Sequence, residues 1–218
     1  MTPTSARERL LEAARTLFST RGVHKVSMDD IVRQSGSTKV TLYRHYRSKD
    51  DLLLAVLRRE AQDFLQELED NVTRLEPRPE RQLLAVFDAL AGWFARPTFR
   101  GCLLTNIVTE LAAPDHPAVQ LLQDHQRRVR AYLAVLARQA SQPDPDGLAA
   151  ELHLVLEGTT LLAGVGQERD ALPRAKALAQ HLVASSPQDF READRAGPAC
   201  PQREDGAISA AERPRTPT

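Results

Sequence analysis

Two cysteines in 218 residues, Cys102 and Cys200, are too few and too far apart for a disulfide framework, and they lack metal-ligand spacing. A reducing compartment is the expectation. No run of about 18 apolar residues is present to cross a bilayer. The stretch from Met1 to Arg9 is polar and charged, unlike a secretory signal. A cytoplasmic protein without a membrane part is therefore expected. The six histidines are scattered without the paired spacing of a metal site, and neither a glycine-rich phosphate loop nor a Gly-x-Ser-x-Gly turn occurs. These gaps predict no metal, no cofactor and no enzymatic activity. Strand-like alternation and internal repeats are also missing.

The formal net charge is zero, so bulk charge argues neither for nor against a nucleic-acid partner. Its distribution says more. Residues 1–59 carry 12 Lys or Arg against 6 Asp or Glu, and the remainder carries 17 against 23. A basic N-terminal segment on a compensating acidic body fits a molecule that meets phosphates at one end. Chance local bias produces the same pattern, so a motif has to decide.

Apolar residues recur at helical spacing nearly throughout. Leu10, Ala14, Leu17 and Phe18 form one face of a first helix that opens at Ser5 with Glu8 and stops at Gly22. Ser27 opens a second, which Gly36 ends, and a short third covers about residues 38–43. Ser48 caps a long fourth helix to about Val72. Further helices are expected at about 80–95, 101–111, 117–139, 148–166 and 172–184, with residues 142–147 as a loop. The architecture read from this is all-α: a three-helix head at 1–50 and a larger helical bundle at 51–186, about nine helices in all. Residues 187–218 combine five prolines with many charges and few apolar residues, so a disordered tail is expected there.

Met28 to Lys49 is the informative span. Two helices joined by a tight turn at Gly36 make a helix-turn-helix, whose second helix can enter a major groove. Thr38 caps that second helix. Lys39, Thr41, Tyr43, Arg44 and His45 supply hydrogen-bond donors within seven residues, while Leu42 and Tyr46 form its buried side. Lys49 opens the next helix, where a charge and free amides can hold one phosphate together.

The run Ser35-Gly36-Ser37-Thr38-Lys39-Val40-Thr41-Leu42-Tyr43-Arg44-His45-Tyr46-Arg47-Ser48-Lys49-Asp50-Asp51-Leu52, with Ser27-Met28-Asp29-Asp30-Ile31-Val32 before it, closely resembles the signature of the tetracycline-repressor (TetR) family. The resemblance covers about residues 7–55. Ser37, Val40 and Tyr46 depart from the usual pattern. Tyr46 keeps the core, whereas Val40 offers an apolar contact to a thymine methyl. The resemblance implies a homodimeric regulator that binds a palindromic double-stranded DNA operator and is released by a small-molecule effector. It implies phosphate contacts for Lys39, Thr41, Tyr43, His45 and Lys49, and base reading for Arg44, which can bond guanine in two places.

In the body, the helix at 148–166 is apolar nearly all round, so it must be covered on two sides. With the helix at 172–184 it forms the expected dimer interface, through Leu152, Leu156, Leu161, Ala175, Leu178 and Leu182, as in the family resembled; burial inside one subunit would give the same pattern. An apolar effector pocket is expected among Phe87, Trp93, Phe94, Asn106, His125 and Tyr132. The simpler reading of His125 is a core histidine with a satisfied hydrogen bond. The segment Arg100 to Asn106, followed by Glu110 and His116-Pro117, also resembles TetR-type ligand domains. Three rivals stay open: an enzyme that happens to carry a helix-turn-helix, a ligand-independent architectural DNA binder, and an activator in place of a repressor.

Overall fold

Hydroxyl side chains open the first four helices of the computed structural model, which describes residues 5–166 and 170–185. Ser5 starts α1 (Ala6–Arg21) by accepting the Glu8 amide at 3.1 Å. Ser27 starts α2 (Met28–Ser35) in a reciprocal pair: its Oγ accepts the Asp30 amide, and the Asp30 carboxylate accepts the Ser27 amide at 3.0 Å. Thr38 starts α3 (Lys39–His45) and Ser48 starts α4 (Lys49–Leu75) in the same way. Each cap satisfies an amide that the helix start would otherwise leave unpaired. Gly36 ends α2 with φ +61°, where a β-carbon would be strained.

The rest of the chain is helical as well, and no strand occurs among the described residues. A 3-10 turn at Pro79–Arg81 leads into α5 (Gln82–Phe94), followed by α6 (Leu103–Leu111), α7 (Pro117–Gln139), α8 (Pro145–Val165) and α9 (Ala171–Ala184). One boundary corrects the sequence reading. Helix α8 begins inside the expected loop at 142–147. Pro145 is its first residue, where proline's missing N–H costs nothing and its fixed φ already suits a helix. Asp144 caps it, accepting the Gly147 amide at 3.0 Å. The expected tail at 187–218 lies outside the described residues.

Buried side chains gather into two cores, and α4 threads both. One core holds α1, α2 and α3, the first part of α4 (Leu52, Leu53, Val56, Leu57), and, from far along the chain, Leu103, Leu104 and Ile107 of α6. The other holds Leu68 and Val72 of α4 with α5, α7, α8 and α9. Burying each leucine contributes about 1.5–3 kcal/mol, so α6 is bound firmly to the head even though it lies beyond residue 100. At 27 residues α4 is a rod of about 40 Å, long enough to span the two cores.

Helix α8 is long and apolar enough, by length and composition, to cross a membrane. It also carries Glu151, His153 and Glu157, and its inner side chains Leu152 and Leu156 are buried in the second core. Its outward side is apolar: Leu154, Leu161, Leu162 and Val165 are exposed. These lie on one stripe with Gly158, at spacings of about one and two helical turns.

Candidate nucleic-acid interface

Helix α3 is held to the head from one side only. Leu42 is fully buried and Tyr46, just past the helix, is 5% exposed. Burial raises the Tyr46 phenol above its usual range, and the Arg7 guanidinium stands 5.9 Å over its ring. Apart from half-buried Thr41, the rest of α3 faces outward. Thr38, Lys39, Val40, Tyr43, Arg44 and His45 are exposed, Val40 at 80% and Tyr43 at 53%. Thr41 and Lys49 are half-buried, with Lys49 at the first position of α4. One short helix therefore presents cationic and hydroxyl donors with an apolar methyl pair among them, on a rigid support. That is the chemistry needed to hold phosphates and read base edges.

Two local bonds organise this surface. The Thr38 hydroxyl, already the cap of α3, lies 2.9 Å from the Thr41 hydroxyl. The Lys39 amine pairs with the Asp29 carboxylate of α2 at 2.8 Å, and that bond raises the lysine above its ordinary range. Both partners are well exposed, so water screens the pair and a phosphate can compete for Lys39.

An exposed donor-rich helix in a helix-turn-helix, standing on an all-helical body, is the arrangement of a DNA-binding transcriptional regulator. Residues 10–56 match the family described as bacterial regulatory proteins, tetR family, and residues 79–179 match the tetracyclin repressor-like C-terminal domain. The chain belongs to the TetR family of transcriptional regulators. It is 26% identical over 174 residues to the HTH-type transcriptional repressor ComR of Escherichia coli, covering 76% of this chain and 83% of that one. It is 42% identical over 59 residues to the HTH-type transcriptional activator FasR of Mycolicibacterium smegmatis, 27% of each chain. Among solved structures, SCO4454, a TetR-family transcriptional regulator from Streptomyces coelicolor, matches with a TM-score of 0.75 at 26% identity, over 82% of this chain and 94% of that one.

The residues expected to form an effector pocket are spread over different surroundings. Phe87 is 1% exposed, part of the second core. His125 is buried with its ring edge-on to Phe64, centroids 5.4 Å apart, and burial lowers its pKa, which keeps it neutral. Tyr132 is half-buried, its hydroxyl pushed up to about 12 by burial. Phe94 packs on Phe99 at 4.9 Å, and Trp93 packs on Phe64 at 4.6 Å and on Phe99 at 5.0 Å. Phe87 and His125 are thus filling side chains, a correction to the expected pocket wall. Aromatic bulk at helical spacing looks the same whether it packs or lines a void.

Trp93 and Asn106 do face open space. A cleft of about 250 Å³ between α1 and α4 is lined by Leu11, Val56, Phe64 and Trp93 together with charged side chains that include Glu12, Arg15, Arg59, Glu60, Asp63 and Arg96. A second, of about 140 Å³ between α1 and α6, is lined by Phe18, Trp93 and Phe99 and by the polar side chains of Arg15, Thr16, Glu60, Arg96, Asn106 and Glu110. In the first, the Glu60 carboxylate is raised above its usual range by desolvation, with the Arg15 guanidinium 3.6 Å away. Asn106 already has a partner, since its Nδ2 donates to the Arg100 carbonyl at 2.8 Å.

The expected dimer interface also needs correction. Leu152, Leu156 and Ala175 belong to this chain's own second core, with Leu182 packed half-buried against it. Of that set, Leu161 and Leu178 are exposed, at 61% and 50%, and they are joined by Leu154, Leu162 and Val165. A helix apolar on every side does not reveal in advance which side its own chain covers.

Sequence reasoning missed the Asp29 partner of Lys39 and the role of Glu110, whose carboxylate reaches residues 86 and 87 positions back along the chain. No local pattern marks a contact of that separation.

Proposed function

We propose that this chain is a homodimeric repressor that binds a palindromic operator in the bacterial cytoplasm and releases it when a small, mostly apolar effector binds. The observation that carries the dimer is the outward stripe of α8 with Leu178 of α9. Leu154, at 74% exposed, and Leu161, Leu162 and Val165 form a contiguous apolar face that a lone chain would leave in water. Placing the same face of a second copy against it removes that cost and makes a self-complementary contact. Two identical heads related by a two-fold then require half-sites related by the same symmetry.

For the effector, the support is the pair of clefts beside Trp93. Both are walled on one side by α1 of the head and on the other by body helices, so an occupant would change how the head sits. To act as a switch it must bind the DNA-free arrangement more tightly, by about 1–3 kcal/mol for a useful response. In the head, Thr38, Lys39, Thr41, Tyr43, His45 and Lys49 hold phosphates and Arg44 reads bases.

The test is selection of bound fragments from a random DNA pool, followed by effector screening on the selected operator. Recovery of an inverted repeat, and small molecules that both change Trp93 fluorescence and weaken operator binding, are the expected results. Recovery of a single half-site would sink the dimeric reading. Binding that no apolar molecule alters would favour a ligand-independent regulator.

A further inference from the structure

Glu110 joins α6 to the head at two levels. Its carboxylate crosses to the turn between α1 and α2, where Oε2 accepts the Val23 amide at 2.9 Å and Oε1 accepts the His24 amide at 2.8 Å. Its backbone carbonyl lies 3.3 Å from Nε2 of the same His24. Gly22, just before this turn, has φ +80°, and a β-carbon there would lie 2.9 Å from both carboxylate oxygens. The missing side chain at Gly22 is thus a condition of the fit. Burial alone would raise the Glu110 carboxyl, but the His24 and Val23 amides and the positive charge of Lys49 draw it below its ordinary range, so it is ionised at neutral pH. Amide bonds to an ionised acceptor are roughly twice as strong as neutral ones.

The other end of α6 is tied to the opposite part of the body. Asn106 holds the Arg100 carbonyl. The adjoining Gly101 lies so close to α8 that a β-carbon on Gly164 would come within 2.7 Å of it. Helix α6 therefore runs from the neighbourhood of α8 to the turn that supports the helix-turn-helix. Its apolar side, Leu103, Leu104 and Ile107, is sunk in the head's own core.

We propose that Glu110 is a positioning residue for operator binding: by clamping the α1–α2 turn it sets the angle at which each head leaves the body, and with it the spacing of the two heads. This rests on the dimeric reading above. Glu110 also lines the cleft between α1 and α6, so a molecule entering that cleft meets the clamp directly.

The experiment uses the full-length protein and the selected operator, together with two operators carrying one base pair more or one fewer between the half-sites. Wild type should prefer the native spacing. Glu110→Ala should bind the native operator about tenfold more weakly and lose most of its preference among the three, because an unclamped head adapts to altered spacing. Glu110→Gln, which keeps one acceptor oxygen, should fall between. A variant that merely folds less well loses affinity on all three operators alike; that outcome, or unchanged affinity, overturns the proposal. Amide hydrogen exchange, measured without DNA, should quicken at Val23 and His24 in Glu110→Ala, and unchanged exchange there overturns the clamp. Should wild type select no operator, the dimeric regulator reading falls and the exchange measurement alone decides the clamp.

Discussion

In the head, α1 to α4 each begin at a hydroxyl that accepts a backbone amide, whereas α5, α6 and α9 of the body have no side-chain cap. The outward faces differ too. The head turns Lys39, Tyr43, Arg44 and His45 to water around a single exposed valine, while the body turns out a stripe of leucines and Val165. Local bonding completes the head's small helices, and the surface left over suits an anionic partner. The body's helices are long, and their boundaries depend on packing. What they leave over is apolar and asks for a second apolar surface. On the proposed function, one chain separates partner choice into two regions, one read by charge and hydrogen bonds and the other by area.

The strongest challenge to this contrast is to put charge on the body's outer face. Leu161→Glu combined with Leu178→Glu should give monomers in analytical ultracentrifugation. Operator affinity should fall by about two orders of magnitude, because a buried unpaired charge costs several kcal/mol. Both positions are exposed in the lone chain, so the monomer should keep its helical content. A dimer of normal affinity would move the interface elsewhere.

Next in size is the inner side of the same helix. Leu152→Ala should lower unfolding stability in urea by about 2–5 kcal/mol, since a fully buried leucine leaves a cavity. Leu154→Ala, three-quarters exposed, should change the intrinsic stability of the chain by much less. Equal losses measured in a monomeric background would mean that the two faces of α8 have been assigned wrongly.

On the head, Arg44→Ala should cost about 1–3 kcal/mol on the specific operator and relax one base position. Lys49→Ala should instead weaken all sequences alike and lower the salt slope by about one. Titrations at several salt concentrations on specific and random DNA separate the two. A sequence-selective loss for Lys49→Ala, or an unchanged base preference for Arg44→Ala, would reverse the assignments.

The smallest expected effect tests whether local bonding does finish the head. Ser27→Ala should cost about 0.5–2 kcal/mol through loss of the α2 cap. The Ser27 hydroxyl and amide hold the Asp30 carboxylate below the usual aspartate range. A depressed carboxylate contributes stability above its unfolded value, and that stability is lost as pH falls through the folded one. Wild type should therefore lose this part of its stability as pH falls below the ordinary aspartate value of about 3.9, and Asp30→Asn should not show that step. Thermal melts from about pH 2.5 to about pH 7 would show whether the step exists.

The head was legible because its information is local. Ser27 with Asp30, Gly36, Thr38 and Ser48 each act within four residues, and the 3.6-residue period assigns Leu42 to the inside and Arg44 to the outside without reference to the rest of the chain. The helical character of the body was legible for the same reason, apart from the start of α8, where Pro145 looked like a loop residue and serves as a first helical residue.

The sequence by itself determined the all-α architecture, the helix-turn-helix and which side of α3 faces outward, because short-range bonding and helical periodicity are properties of neighbours in the chain. Only the tertiary structure decided that α6 packs with the head, that Glu110 reaches Val23 and His24, that Leu152 is inside while Leu161 is outside, and that Phe87 and His125 fill space. Those outcomes depend on which apolar face meets which. An apolar side chain gains about the same from burial against any well-packed partner, so its identity does not name the neighbour.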